Sequence, residues 1–215
     1  MNETALFVKV KKAAEKILKE GKGSHDLEHT ERVLKLALRV GKKEKADPEI
    51  IRLAAVMHDI GRSAEDDSGG RIDHAALGAK MAAVILKKCG YPEIKTVAVC
   101  RCIAAHRYRG SLRPGSLEAK CLFDADKLDS IGAVGIGRAF LFAGEVGAKL
   151  HNRGVDLSKT KPYTREDTAY REFMVKLRHV KARMTTKEGR RLAAGRHQYM
   201  CGFFKRLDDE AEGVK

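Results

Sequence analysis

The sequence predicts an all-α fold: a helical bundle followed by a C-terminal helical extension. Three observations carry this expectation. Apolar residues recur at helical spacing along most of the 215 residues. Helix-start residues punctuate the chain at Asp47-Pro48, Asp73, Pro92 and Ser116. No segment sustains the period-2 alternation of a half-buried strand.

Taken in order, "TALFVKVKKAAEKILKE" places Leu6, Val10, Ile17 and Leu18 on one face and stops before Gly21 and Gly23. Ser24 is the cap expected for "HDLEHTERVLKLALRV", whose inward stripe is His29, Val33, Leu36 and Val40 and whose end is set at Gly41. Asp47-Pro48 opens the third helix, which carries "AAVMHDIGR" with His58 and Asp59 in its last turn. Asp73 caps "HAALGAKMAAVILKKC", which runs to Gly90, and Pro92 opens "EIKTVAVCRCIAAHRY". Ser116 opens "LEAKCLFDADKLDSI", and Gly132, Gly135 and Gly137 interrupt or closely pack its continuation through "RAFLFAGEV". Residues 62–72 and 107–116 read as loops, and 147–165 is the longest irregular stretch. Two helices near 166–184 and 187–208 follow. The organisation is a bundle over 1–146 with residues 147–215 packed on it as one structural domain.

The composition is 43% hydrophobic, enough for a sizeable core. No apolar run approaches the roughly 20 residues of a membrane span, and Lys9, Lys11 and Lys12 interrupt any signal-peptide pattern. Five cysteines (Cys89, Cys100, Cys102, Cys121, Cys201) without C-x-x-C spacing fit neither a disulfide framework nor a zinc knuckle. Free thiols suit a reducing compartment, so the expected localisation is cytoplasmic. The net charge of +14, from 43 Lys+Arg against 29 Asp+Glu, favours an anionic partner. The basic residues are dispersed and no aromatic stacking motif accompanies them, which disfavours nucleic acid as that partner.

The chemistry-bearing residues fall on three of these helices. His29 sits on the inward stripe of the second, His58 and Asp59 end the third, and Asp126 lies in "DADKLD". Adjacent helical residues diverge by about 100°, so both members of the His-Asp doublet reach one point beyond the helix end. Two imidazoles and two carboxylates make a mixed N/O ligand set. Its hardness suits Mn²⁺, Fe²⁺, Co²⁺ or Mg²⁺, with zinc also compatible.

"HDLEHTERV", "LAAVMHDIGR" and "DADKLDSIG" together resemble the HD-domain superfamily of metal-dependent phosphohydrolases. "DADKLDSIGAVGIGRAF" and "KLRHVKARMTTKEGRRLAAGRHQYMCGFFKRL" are further similar to a bacterial subfamily that includes nucleoside triphosphate pyrophosphohydrolases, so the likeness spans most of 24–208. The resemblance implies an HD-domain helical bundle in which His29, His58, Asp59 and Asp126 ligate a divalent metal. His74 and His106 match, in chain order, the histidines that complete a second metal site in two-metal members. "HRYRGSLRPG" lacks the G-Y-P signature of the cyclic-di-nucleotide phosphodiesterases. "SAEDDSGG" offers Glu65, Asp66 and Asp67 near the place where guanosine-tetraphosphate hydrolases carry a Glu-Asp pair, one of which would serve as base or as partner of a metal-bound water.

The expected reaction is metal-assisted hydrolysis of a nucleotide, splitting a triphosphate into monophosphate and pyrophosphate. A nucleotide monophosphatase or small phosphodiesterase is the alternative. A non-catalytic, metal-stabilised signalling or nucleic-acid-binding module is a third reading. Asp59, Asp129 and Glu65 are the candidate catalytic groups, Asp129 by orienting a ligand or the attacking water. Arg32, Arg62 and Lys127 are candidate phosphate contacts, and His25 is a candidate for the pocket mouth. No oligomeric state is specified.

Overall fold

The computed structural model describes residues 3–18, 27–107, 112–152 and 154–215. Ser24, His25 and the glycines at 21 and 23 lie outside the described residues, as does 108–111 of one expected loop. Among the described residues the chain is α-helix and 3-10 helix with no strand. No helix there is long and apolar enough to cross a membrane. The chain divides into two compact units. One runs to Asp126 and includes Thr185–Glu188; the other comprises Lys127–Met184 and Gly189–Lys215.

The first unit holds α1 (Glu3–Leu18), α2 (Leu27–Glu44), α3 (Pro48–Met57), α4 (Arg62–Asp67), α5 (His74–Lys88), α6 (Glu93–Ala104) and most of α7 (Leu117–Asp129). Its centre is α3. Asp47 caps that helix, its Oδ1 accepting from the Glu49 amide at 2.8 Å. Ile50, Ile51 and Leu53 through Met57 are all buried, as a helix apolar on every side must be. It packs on α1, α2 and α6. The core around it is built from Val10, Val33, Ala37, Val40, Leu86, Ile103 and Leu122. The doublet His58-Asp59 therefore emerges from the most deeply held segment of the unit.

Several boundaries differ from the sequence expectation. On α1 the buried stripe is Leu6, Val10, Ala14 and Leu18, while Ile17 is only half-buried. α2 does not stop at Gly41 but runs through it to Glu44. A Cβ at 41 would collide with the Ile51 side chain, so that glycine serves helix packing. α3 ends at Met57; His58 is its C-cap and Asp59 lies in the turn beyond. Part of the supposed loop 62–72 is the short helix α4.

One buried acid ties the returning chain to this unit. The Asp124 carboxylate accepts from the amides of Thr185 and Thr186, both at 2.8 Å, and from their hydroxyls at 2.9 and 2.6 Å. Four donors satisfy a fully buried charge.

The second unit holds α8 (Gly132–Glu145), a 3-10 turn (Leu157–Lys159), α9 (Ala169–Val175), a 3-10 helix (Leu177–Arg183) and nearly all of α10 (Lys187–Ala211). α8, which the sequence reading grouped with 1–146, clusters here. Gly132 opens α8 with φ +78, a left-handed conformation that favours glycine. Gly135 backs onto Ser130 and Met200, whereas Gly137 faces open space. The helix expected over 166–184 is broken at Lys176 (φ −139, ψ −58), which separates α9 from the 3-10 helix. Phe173 stacks on Phe204 with ring centroids 4.4 Å apart, and Tyr170 and Phe140 extend that aromatic core.

Candidate metal centre

Six chain segments of the first unit bring their polar side chains to one place. α2 supplies His29, the end of α3 supplies His58 and Asp59, α4 supplies Glu65, the first turn of α5 supplies His74, the end of α6 supplies His106 and α7 supplies Asp126. The approach of α5 to the end of α3 depends on Gly61. A Cβ there would collide with the His74 carbonyl and lie 2.9 Å from the Gly78 amide. With no side chain at 61, His74 reaches Asp59.

Asp59 stands in the middle. Its Oδ2 lies 3.4 Å from His58 Nε2 and 3.5 Å from His29 Nε2. Its Oδ1 lies 3.3 Å from His106 Nε2 and 3.5 Å from His74 Nε2. Asp126 Oδ1 completes the first half at 3.5 Å from His29 Nε2. The sequence-predicted ligands His29, His58, Asp59 and Asp126 thus converge, and His74 and His106 join them across the shared carboxylate. All four imidazoles are buried.

Hydrogen bonds fix the tautomers. His58 Nδ1–H donates to the Ala55 carbonyl at 2.8 Å, and His106 Nδ1–H to Ile103 at 2.6 Å. His74 Nδ1–H donates to Glu65 Oε2, which also accepts from the His74 amide at 3.0 Å. In each ring the Nε2 lone pair is left facing the centre. His29 and His58 then oppose one another Nε2 to Nε2 at 3.2 Å beside two carboxylates. Buried acceptors this close need a cation between them, so the donor set fits a divalent ion. His29–His58–Asp126 and His58–Asp59–His106 each bring three ligand atoms within reach of one ion.

The two halves differ in electrostatics. Burial opposes charging His58, but Asp59 and Asp126 outweigh it and hold its pKa above the ordinary histidine value. Burial and the Arg62 guanidinium push His74 down to about 4. Arg62 Nη2 lies 3.2 Å from His74 Nε2 and 3.8 Å from Asp59 Oδ1.

The other candidates are placed as follows. Glu65 is a buried carboxylate engaged with His74 and, through Oε1, with Arg107 Nη2 at 3.0 Å. Burial raises its pKa, yet the hydrogen bonds from His74 prevail and hold it below the usual range. Arg32 lies one turn beyond His29 on α2 and pairs with Glu28 at 3.7 Å. Lys127 and Asp129 fall in the second unit. There the Asp129 carboxylate accepts from Arg138 Nη1 at 2.9 Å, in a buried ion pair. His25 lies outside the described residues. Sequence reading missed Arg107, which spans Glu65 and the α5 cap Asp73, the latter at 2.8 Å; its position next to His106 was the available signal.

Comparison with known proteins agrees with this geometry. The HD domain family profile matches residues 26–131. YpgQ of Bacillus subtilis is 33% identical over 216 residues, spanning all of this chain and 98% of YpgQ. The crystal structure of B. subtilis YpgQ in complex with ADP superposes with a TM-score of 0.76, at 30% identity over 98% of this chain and 97% of that one. An HD-superfamily hydrolase from Bacillus thuringiensis gives a TM-score of 0.77 at 26% identity, covering 98% and 99% of the two chains. Ribonuclease Y of Borreliella burgdorferi is 32% identical over 108 residues, half of this chain but only 19% of the ribonuclease.

Proposed function

This chain belongs to the HD-domain superfamily of metal-dependent phosphohydrolases, and we propose that its substrate is a nucleoside triphosphate, hydrolysed to the monophosphate and pyrophosphate. The observation that carries the reading is the convergence of His29, His58, Asp59 and Asp126 with every assigned Nε2 lone pair turned inward. These four residues would hold the ion. A divalent ion bound there lowers the pKa of its water and polarises a phosphoryl oxygen. The protein's own part is positioning. α3 anchors the doublet, the Ala55 carbonyl fixes the His58 ring, and Glu65 fixes the His74 ring. The oxygen of water adds to the α-phosphorus, the bond to the bridging oxygen breaks, and pyrophosphate leaves with that oxygen. Arg62 and Arg32 are the proposed phosphate contacts from this unit.

Three facts support a nucleotide. The YpgQ structure holds ADP, the chain carries a net charge of +14, and a guanidinium stands beside the ligand cluster. A phosphodiester is the second reading, favoured by the likeness of half the chain to ribonuclease Y. The test is a panel of nucleoside triphosphates, monophosphates and short oligonucleotides incubated with Mn²⁺, with phosphorus products identified by NMR. Pyrophosphate and monophosphate are expected. Orthophosphate release would replace this reading with a phosphatase, and cleaved oligonucleotide with a phosphodiesterase.

A further inference from the structure

We infer that the second unit binds a nucleotide in a cavity of its own, with the base against an aromatic wall and the phosphate on Arg178. The cavity measures about 460 Å³, a usual size for a small-molecule site. Its lining residues all belong to the second unit, and all lie beyond residue 131, where the HD domain profile ends. The inference goes beyond the metal-centre reading and does not rest on it.

Three observations carry it. First, two helices present an aromatic and soft wall. Tyr170, Phe173 and Met174 follow at helical spacing on α9, as do Cys201, Phe204 and Lys205 on α10. Phe173 and Phe204, stacked and buried, form the floor, while Tyr170 and Met174 are half-buried. Surfaces of this kind receive a planar base. Second, positive charge in the cavity exceeds the carboxylates that could neutralise it. The 3-10 helix after the break at Lys176 supplies Arg178, whose Nη1 donates to the Met174 sulfur at 3.4 Å. No carboxylate pairs with Arg178 among the described residues. Lys205 Nζ shares Asp209 with Lys215, at 3.3 and 2.7 Å, so two ammonium groups stand on one carboxylate. Asp208, the acid in the lining, is set against His151 Nε2 at 3.2 Å. A phosphate entering here meets a guanidinium with donors to give. Third, His197 registers that field. Burial and then the charges of Lys181 and Arg178 hold its pKa below the ordinary histidine value. The neutral ring has its Nε2 3.4 Å from Cys201 Sγ, which puts a thiol in the cavity wall. A planar ring joined to a phosphate fits both the aromatic floor and the unpaired guanidinium, and a nucleotide is that chemistry.

Cys201 reports occupancy directly. The full-length protein is treated with iodoacetamide in the presence of AMP, adenosine or inorganic phosphate at matched millimolar concentrations, and labelling of each cysteine is followed by mass spectrometry. AMP is expected to slow labelling of Cys201 several-fold and saturably, and to leave the half-buried Cys89 and Cys100 unchanged. Adenosine and phosphate are each expected to protect far less. No protection by AMP would overturn the inference, as would equal protection by either fragment alone or equal slowing at all three cysteines. Arg178→Ala, a change at an exposed residue, is expected to need roughly tenfold more AMP for half-protection. An unchanged requirement would remove Arg178 from the site. Should Cys201 be inert without ligand, photolabelling with 8-azido-AMP decides: the label is expected within residues 170–208, and a label confined to the first unit overturns the inference. Failure to release pyrophosphate at the metal centre would overturn the proposed function and leave these results untouched.

Discussion

Glu65 accepts two hydrogen bonds from a single residue, His74, through one carboxylate oxygen: the backbone amide at 3.0 Å and the ring Nδ1–H. A carboxylate so engaged aims an imidazole; it is poorly placed to take a proton from water. Glu65→Ala is expected to lower kcat/KM by about 10- to 100-fold. Glu65→Gln, which can still accept through its amide oxygen, is expected to retain most activity and the wild-type pH profile. Loss of the acidic limb of that profile in Glu65→Gln would instead identify Glu65 as the general base.

Removing a ligand acid separates stability from metal retention. Asp59 and Asp126 each bring a carboxylate oxygen to 3.5 Å from the same buried imidazole, His29, and residues gathered for function rather than packing commonly cost a protein stability. Asp126→Ala is expected to bind no Mn²⁺ and to turn over no substrate. Compared metal-free, it is expected to melt no lower than the wild type by calorimetry. Full activity in this variant would remove Asp126 from the ligand set.

The raised pKa of His58 has a sign that calorimetry can read. Metal binding requires the neutral ring. Because Asp59 and Asp126 hold the His58 pKa above its ordinary value despite burial, a fraction of the metal-free protein is protonated there at neutral pH. Mn²⁺ binding at pH 7 is therefore expected to release protons, and its affinity to weaken steadily as pH falls. Titrations in buffers of different ionisation enthalpy measure that release. An enthalpy independent of buffer would show that His58 is already neutral.

The cysteines give a readout of the packed bundle. Burial pushes the thiols of Cys102 and Cys121 each up to about 12. Since the thiolate is the reactive form, both should resist a thiol reagent at pH 8 in the folded protein and react once denaturant is added. Labelling of either in the native state, mapped by mass spectrometry, would contradict the packing around them.

Asp124 is expected to matter for stability. Replacing it with Ala takes away the carboxylate that accepts from the buried amide and hydroxyl of Thr186 and the part-buried amide and hydroxyl of Thr185, at a cost of about 3–5 kcal/mol. Urea denaturation measures this. A change below about 1 kcal/mol would mean that water replaces the carboxylate.

Periodicity and caps were enough to locate most of the helices, because amphipathic spacing and Asp or Ser caps are local properties. Asp47, Asp73 and Ser116 all accept the amides expected of them. The convergence of His29, His58, Asp59 and Asp126 was legible through the resemblance of their motifs to the HD-domain superfamily, with the inward stripe of α2 and the end of α3 consistent with it. What escaped the sequence depends on contacts between distant segments. Gly41 looked like a stop and is a packing surface against Ile51. The polar run after Gly61 looked like a loop, yet it forms α4, where buried Glu65 meets His74. Asp124 was indistinguishable from its neighbour Asp126, because only the returning threonines at 185 and 186 give it a role.

Since main chain touches main chain at Gly61 and Gly78, the spacing between the two imidazole pairs acts as a rigid gauge that rotamer changes cannot lengthen. Exchanging a side chain beside the imidazoles, such as Arg62, would alter what stands next to them without altering their separation. Bulk introduced at position 61 would spoil the gauge itself.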